Sequence, residues 1–181
     1  MKKIKVILDT NIYIFRFQEN QNIYRHMYDK DKLKTPKVKT IINNLKTKEN
    51  IEININKKIV EEIKWICKYK QFGNQNLYYD KKDILELCQN YPGENYIQEM
   101  INQIEIWDTH IKKQDDKIDK DDMLIYYIIQ KHYDKNTIII TNNKRDFTKC
   151  REIYKKENKN SKEIKILNIH EALEYFKDHF V

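Results

Sequence analysis

Two short stretches of almost purely apolar, β-branched residues constrain the fold of this chain more than any other feature. The first, Val6-Ile7-Leu8, lies near the amino terminus, and the second, Ile138-Ile139-Ile140, lies in the last third. Short runs without alternation are typical of strands buried on both faces, as in parallel sheets covered by helices. Each run stops abruptly at a polar residue, Asp9 or Thr141. We therefore expect buried parallel strands that end in polar side chains.

The segments around these strands either follow the helical period or alternate like a strand. Helical patterns begin at Thr35, after Asn56 and at Asp122, whereas Ile51-Glu52-Ile53-Asn54-Ile55 alternates like a strand with one buried face. A last short strand at 164–167 precedes a closing helix. Strands separated by helices predict a three-layer α/β fold, with a central, mostly parallel sheet of four to five strands flanked by helices.

Length and composition favour a single domain. The 181 residues include only two glycines and two prolines, which indicates long helices with short connections rather than a many-turned β-sandwich. We interpret residues 1–181 as one domain with a helical insertion around 65–119. The three cysteines, Cys67, Cys88 and Cys150, are far apart, so neither a disulfide framework nor a zinc ribbon is expected.

Charge and hydropathy indicate where the protein works and what it binds. No run approaches the 18 apolar residues of a membrane-spanning helix, and Lys5 and Asp9 interrupt the apolar core that a signal peptide requires. We therefore expect a cytoplasmic protein without a membrane partner. The net charge of +7, from 35 basic and 28 acidic side chains, favours a polyanionic partner such as nucleic acid.

Four acidic residues occupy similar places in the predicted fold. Asp9 ends the first strand, Glu62 lies one turn into the helix after the second, Asp122 begins a helix, and Asp146 follows the buried strand ending at Thr141. Strand ends and the helices that follow them share one edge of a parallel sheet. Carboxylates about 4 Å apart repel by roughly 4 kcal/mol per pair at a dielectric constant of 20. Such a cluster holds protons or a hard divalent cation, here Mg²⁺ or Mn²⁺.

A simpler interpretation remains open for these acids. Asp9 or Thr10 could merely cap the helix that follows, and the four acids could be unrelated caps and surface residues.

The order of the motifs resembles that of PIN-domain ribonucleases over nearly the whole chain. The matching segments are Ile7-Leu8-Asp9-Thr10-Asn11, Ile59-Val60-Glu61-Glu62-Ile63, Asp122-Met123-Leu124-Ile125 and Ile140-Thr141-Asn142-Asn143-Lys144-Arg145-Asp146-Phe147. The resemblance implies a Mg²⁺- or Mn²⁺-dependent endoribonuclease that hydrolyses phosphodiester bonds of single-stranded RNA and leaves a 3′-hydroxyl. It also allows an antitoxin or a second copy of the chain as a partner.

The resemblance assigns roles to individual residues. It implies that the catalytic, metal-binding acids are Asp9, Glu62, Asp122 and Asp146, and that the supporting polar residues are Asn11 and Thr141. Asn143, which stands where the family often has aspartate, would orient ligands or water.

Neighbouring acids leave the register of two motifs open. Glu61 adjoins Glu62, and Asp119 and Asp121 lie beside Asp122, so the register could slip to one of these neighbours. We favour Glu62 because the apolar residues around it should face the core. We favour Asp122 because apolar side chains follow it three and seven residues later.

Basic and aromatic residues give a second hint of RNA binding. Lys144 and Arg145 could contact phosphates beside the site, although a solvated pair is an equal alternative. Tyrosines between Tyr69 and Tyr96, interleaved with lysines, could stack on bases. A zinc site formed by Cys67, Cys88 and His110 is a weaker alternative.

Two other functions compete with the nuclease. One is a PIN-fold protein that binds RNA or a protein partner without cutting. The other is a phosphotransfer enzyme with Asp9 as nucleophile, but such enzymes need a second aspartate where Asn11 stands.

Overall fold

The apolar runs form the centre of a parallel sheet, where Ile7 and Ile139 are completely buried. The computed structural model describes residues 3–13, 35–69, 102–114 and 117–178. Within these residues four strands pair in the order β2-β1-β3-β4, and every pairing is parallel. The strands are β1 (Ile4–Leu8), β2 (Ile51–Asn54), β3 (Thr137–Ile140) and β4 (Lys165–Leu167). Because helices flank this sheet, the predicted three-layer α/β fold class is confirmed.

Five helices with described bounds surround the sheet. They are α1 (Thr35–Lys46), α2 (Lys57–Tyr69), α3 (Lys120–His132), α4 (Lys144–Glu157) and α5 (Ile169–Asp178). Residues 10–13 are also helical, and residues 102–106 lead into a π-helical turn, Trp107–Ile111. Helix α1 packs on α5, while α3 packs on both α2 and α4. The described helices therefore form two packed groups against the sheet.

Side-chain caps fix the starts of α2 and α3, the helices that carry Glu62 and Asp122. Oδ1 of Asn56 accepts a hydrogen bond of 3.0 Å from the backbone N–H of Ile59, as expected for the cap of α2. Helix α3 begins at Lys120, so its predicted start at Asp122 is wrong by two residues. The reason is Asp119, whose side chain accepts hydrogen bonds from the N–H groups of residues 121 and 122.

Strand β2 does not alternate as its sequence suggests. Asn54, expected on the exposed face, is buried, and its Nδ2 donates to the backbone oxygen of Glu52 at 3.1 Å and to Oε1 of Glu52 at 3.0 Å. The prediction of one buried face is therefore wrong. An asparagine can be buried there because a neighbouring side chain satisfies its amide.

Helix α3 is buried along most of its length rather than along one stripe. Every residue from Met123 to Gln130 is buried, since the helix packs against its two neighbouring helices. The one amide in this run, that of Gln130, exchanges two 2.9 Å hydrogen bonds with the backbone of Lys162. This exchange holds the chain that enters β4 against α3.

Several predictions fall outside the described residues. The tyrosine-rich segment lies almost wholly within 70–101, so its role and the helical insertion around 65–119 stay predictions. In the part of the chain that the structure describes, no helix is long and apolar enough to cross a membrane.

Candidate active site

The end of the sheet ladder brings Asp9 and Thr141 together at the carboxyl edge of the strands. The N–H of Asp9 donates to the backbone oxygen of Ile140 at 3.0 Å, and the N–H of Thr141 donates to that of Leu167 at 3.0 Å. Both polar side chains are buried although each follows a strand directly. This is the edge at which parallel α/β sheets place their ligands.

Three donors hold the carboxylate of Asp9 in one orientation. The N–H of Thr10 donates to Oδ1 at 2.7 Å, while Nδ2 of Asn11 and the hydroxyl of Thr141 donate to Oδ2 at 2.5 and 2.7 Å. Oδ1 of Asn11 in turn accepts from the N–H of Asn142 at 3.1 Å. The predicted supporting residues Asn11 and Thr141 thus both contact the predicted ligand.

Glu62 reaches the same site from helix α2. The hydroxyl of Thr10 donates a hydrogen bond to Oε2 of Glu62, which is only partly exposed. Its neighbour Glu61 is exposed and pairs with Lys57 at 3.1 Å. The geometry therefore favours Glu62 over Glu61. Thr10 was expected only as a helix cap, and no signal in the sequence indicated that it would connect Asp9 to Glu62.

Asp122 is connected to Asp9 through two intervening side chains. Nδ2 of Asn143 donates to Oδ2 of Asp122 at 3.0 Å, and the N–H of Asn143 donates to the hydroxyl oxygen of Thr141 at 2.8 Å. That same hydroxyl bonds Asp9. Asp121, the alternative to Asp122, instead pairs with Lys58 at 2.8 Å.

Burial raises the pKa of each of the three acids above its ordinary value. For Asp9, burial outweighs the hydrogen bonds from Thr141, Thr10 and Asn11, and the pKa rises to about 6. For Glu62, burial likewise outweighs the hydrogen bond from Thr10, and the pKa rises to about 7.

The pKa of Asp122 is raised furthest because four negative charges add to the effect of its burial. Its pKa rises to about 9, chiefly through desolvation, and then through the acids Asp9, Asp119, Glu62 and Asp146. These charges act on one carboxyl because the acids lie on the same side of the sheet. Asp119 was considered only as an alternative to Asp122; it instead caps the helix and adds its charge at Asp122, and its position three residues earlier is the spacing of an N-cap.

No basic side chain among residues 3–13, 35–69, 102–114 and 117–178 forms an ion pair with Asp9, Glu62 or Asp122. The nearby lysines pair elsewhere, as Lys57 and Lys58 do with the two acids adjacent to the site. Within the described residues, the charge of Lys58 lowers the pKa of Glu62 without an ion pair, so the negative charge of the site leaves room for protons or for a cation from solution.

The chemistry of the available donor atoms fits a hard divalent cation, although the described side chains are not close enough together to coordinate one directly. Among the described residues, no three His, Cys, Asp or Glu side chains are placed to share an ion directly. The available donors are all oxygens, the type that Mg²⁺ and Mn²⁺ prefer. One oxygen each of Glu62 and Asp122 accepts no hydrogen bond from the described residues.

The remaining predicted residues lie around this centre in less direct positions. Asp146 adds to the negative field at Asp122 and pairs with Lys149 at 3.4 Å. Lys144 donates to both carboxylate oxygens of Glu171 at 2.5 and 2.7 Å, so it is already neutralised. Arg145 is exposed.

The zinc alternative gains no support from the part of the chain that the structure describes. Cys88 and the side chain of Cys67 lie outside that part. His110 stacks on Tyr127, with ring centroids 5.2 Å apart, and its Nδ1 lies 3.7 Å from a carboxylate oxygen of Glu157.

Comparisons of the chain with protein-family models, with curated proteins and with solved structures give no match. The functional interpretation therefore depends on the residues and their geometry.

Proposed function

We propose that this protein is a Mg²⁺- or Mn²⁺-dependent endoribonuclease that hydrolyses phosphodiester bonds of single-stranded RNA. The observation that supports this most directly is the connection of three acids from distant segments by hydrogen bonds. Thr10 connects Asp9 to Glu62, while Thr141 and Asn143 connect Asp9 to Asp122. We assign metal binding to these acids, with Asp146 completing the acidic ring.

The electrostatics of the site support a cation as the missing partner. Ionisation of these buried acids destabilises the folded protein, and their raised pKa values express that cost. Replacing one of them with an uncharged residue would therefore increase stability. Sites that keep such groups are commonly functional. A bound divalent cation would polarise the phosphodiester and lower the pKa of a water molecule beside it.

The chain's own residues have distinct parts in this proposal. Asp9 is fixed by three donors and would hold the cation in one position. Glu62, with a pKa of about 7, can accept or release a proton near neutral pH. Asn143 orients the carboxylate of Asp122, and Thr141 orients both Asn143 and Asp9.

RNA is the proposed substrate on two grounds. The order of the acidic motifs resembles that of PIN-domain ribonucleases, and the net charge of +7 favours a polyanion. We further propose a cytoplasmic location, where RNA is plentiful, with an antitoxin or a second copy of the chain as an additional partner.

The decisive experiment compares two double variants that remove the same number of charges. Purified protein is incubated with mixed single-stranded RNAs and Mn²⁺. Asp9→Asn/Asp122→Asn should abolish cutting, whereas Glu61→Gln/Asp121→Asn should cut like the wild type. Cutting that persists in the first variant, or that needs no metal, would refute the proposal.

A binding protein that has lost catalysis is the second candidate. The observation that favours it is the full set of protein hydrogen bonds on Asp9. If the wild-type protein binds RNA but does not cut it with either metal, the inactive RNA-binding protein is the better interpretation.

A further inference from the structure

A second feature of the surface lies beside the candidate active site, along the edge strand β4. A cavity of about 580 Å³, which we call the edge groove, is lined by residues of the helices α4 and α5 and of the strands β1, β3 and β4. None of the four acids of the candidate site lines it. Its floor is apolar and is formed by Ile4, Ile138, Ile164 and Ile166.

The walls of the edge groove are strongly basic. The cations that line it are Lys135, Lys144, Arg151 and Lys165, against a single acid, Glu163. Glu163 is already paired, since it lies 2.8 Å from Nζ of Lys155. The groove therefore has an excess of positive charge over an apolar floor.

Three of these cations have no carboxylate partner among the described residues. Lys144 pairs with Glu171, but Lys135, Arg151 and Lys165 form no ion pair there. Lys165 places its Nζ 4.1 Å from the centre of the ring of Tyr175, which also lines the groove. Unpaired cations beside an aromatic ring are the usual components of a site for single-stranded nucleic acid.

One residue of the edge groove adjoins the candidate active site in the chain. Lys144, which lines the groove, directly follows Asn143, the residue that bonds Asp122. The strand residues that line the groove lie at the beginnings of their strands, for example Thr137 of β3 and Lys165 of β4. The groove therefore extends from Lys144 toward the amino ends of the strands.

We propose that the edge groove holds the sugar-phosphate backbone of the RNA strand next to the segment that is cut. The inference rests on the proposed function and names the surface that this function would use. An extended strand of regularly spaced phosphates matches several cations distributed over one groove better than a compact anion does. An acidic polypeptide is the competing occupant, and the test below separates the two.

The test measures binding without cleavage. A short fluorescein-labelled oligouridine is titrated with full-length protein in EDTA at several salt concentrations, and anisotropy is read. The triple variant Lys135→Gln/Arg151→Gln/Lys165→Gln is compared with Lys46→Gln/Lys112→Gln/Lys113→Gln, in which three exposed lysines outside the groove are replaced. Both variants lose the same charge.

The groove variant should bind on the order of tenfold more weakly at moderate salt, and its plot of log K against log salt should be shallower by about 2, because each phosphate contact contributes about 0.7. The control should keep the slope of the wild type. A groove variant with wild-type affinity and slope overturns the inference. Polyglutamate that displaces the RNA at an equal concentration of charge overturns it in favour of an acidic protein partner.

Folding and the proposed function are controlled separately. If the triple variant melts earlier than the wild type, Lys135→Gln/Arg151→Gln replaces it, with an expected slope change of about 1.4. Groove-dependent binding without metal-dependent cutting would refute the nuclease but keep the edge groove as the RNA-binding surface. Cutting that depends on Asp9 and Asp122, together with RNA binding that the groove variant does not weaken, would support the nuclease and overturn the inference about the groove.

Discussion

The hydroxyl of Thr141 donates a hydrogen bond of 2.7 Å to Oδ2 of Asp9, although the two residues are 132 positions apart in the sequence. The contact arises because β1 and β3 are adjacent parallel strands that end at the same level. The same hydroxyl accepts from the N–H of Asn143. One buried side chain thus sets the orientation of the first acid and of the residue that holds Asp122.

Replacing Thr141 should therefore affect stability and activity together. Thr141→Val leaves the side-chain volume similar but removes every hydrogen bond of the hydroxyl, and should lower the free energy of unfolding by about 1–3 kcal/mol. Metal affinity should fall about 10–100-fold, as for other residues that support metal ligands. Thr141→Ser retains the hydroxyl and should restore most of both. Urea unfolding and metal titration measure the two effects, and equal behaviour of the Val and Ser variants would argue against the hydroxyl's role.

The raised pKa values predict how stability depends on pH in the absence of metal. Each acid binds its proton more tightly in the folded than in the unfolded state. This preference adds to the free energy of unfolding at low pH, and the contribution is lost as pH rises through the pKa of the folded state. For Asp9, Glu62 and Asp122 the loss should extend from about pH 4, the unfolded value, to pH 9, the highest folded one. Thermal unfolding in EDTA should show a melting temperature that falls across this window.

Asp122→Asn should make that pH dependence much weaker. The amide keeps an oxygen that can accept from Asn143 but carries no charge, so the variant should be more stable than the wild type by about 1–3 kcal/mol above neutral pH. Glu49→Gln, in an exposed loop, is the control and should follow the wild-type curve. If the melting temperature of the variant follows that of the wild type at every pH, then ionisation of Asp122 does not destabilise the folded protein.

Divalent cations should reverse the effect of pH on stability. Protons and metal compete for the same carboxylates, so the stabilisation by Mn²⁺ or Mg²⁺ should increase as pH rises from about 6 to 9. At 100 times the dissociation constant, binding contributes about 2.7 kcal/mol. Asp9→Asn should lose this gain. A melting temperature that does not respond to either metal would contradict the metal site.

Adjacent acids provide matched tests of the assigned register. Glu62→Gln and Asp122→Asn should each lower the cleavage rate on the order of 100-fold or more, because each removes a few kcal/mol of transition-state stabilisation. Glu61→Gln and Asp121→Asn should change the rate less than threefold, because Glu61 and Asp121 pair with lysines and form no hydrogen bond with the side chains that connect the three acids. Initial cleavage rates on one RNA compare the four variants. A larger loss in the Glu61 and Asp121 variants than in the Glu62 and Asp122 variants would shift the assigned register by one residue.

Thr10 should matter through Glu62 rather than through the fold. Thr10→Val removes the hydroxyl that donates to Glu62 and should lower the cleavage rate about tenfold or more, while Thr10→Ser should stay near the wild type. The pH profile adds a second readout, since the hydrogen bond from Thr10 lowers the pKa of Glu62. The acidic limb of the Val variant should move to higher pH. An unchanged limb would show that the bridge has no role.

The sequence by itself determined the sheet and the position of its polar edge. Apolar runs such as Val6-Ile7-Leu8 can be satisfied only where both faces of a strand are covered, which requires a parallel sheet between helices. Because strands in such a sheet end at one edge, the sequence predicts Asp9 and Thr141 at the same edge. Local pattern and chain connectivity are sufficient for this prediction, but not for the adjacency of β1 and β3.

Only the tertiary structure decided which polar side chain contacts which. Thr10 reaches Glu62, Asn143 reaches Asp122, and Lys144 is neutralised by Glu171. Choices between neighbours such as Glu61 and Glu62 depend on a rotation of about 100° along a helix, which periodicity alone fixes loosely. The pKa values and the basic edge groove likewise follow from burial and from charges brought together by packing, and neither quantity is a property of any single segment.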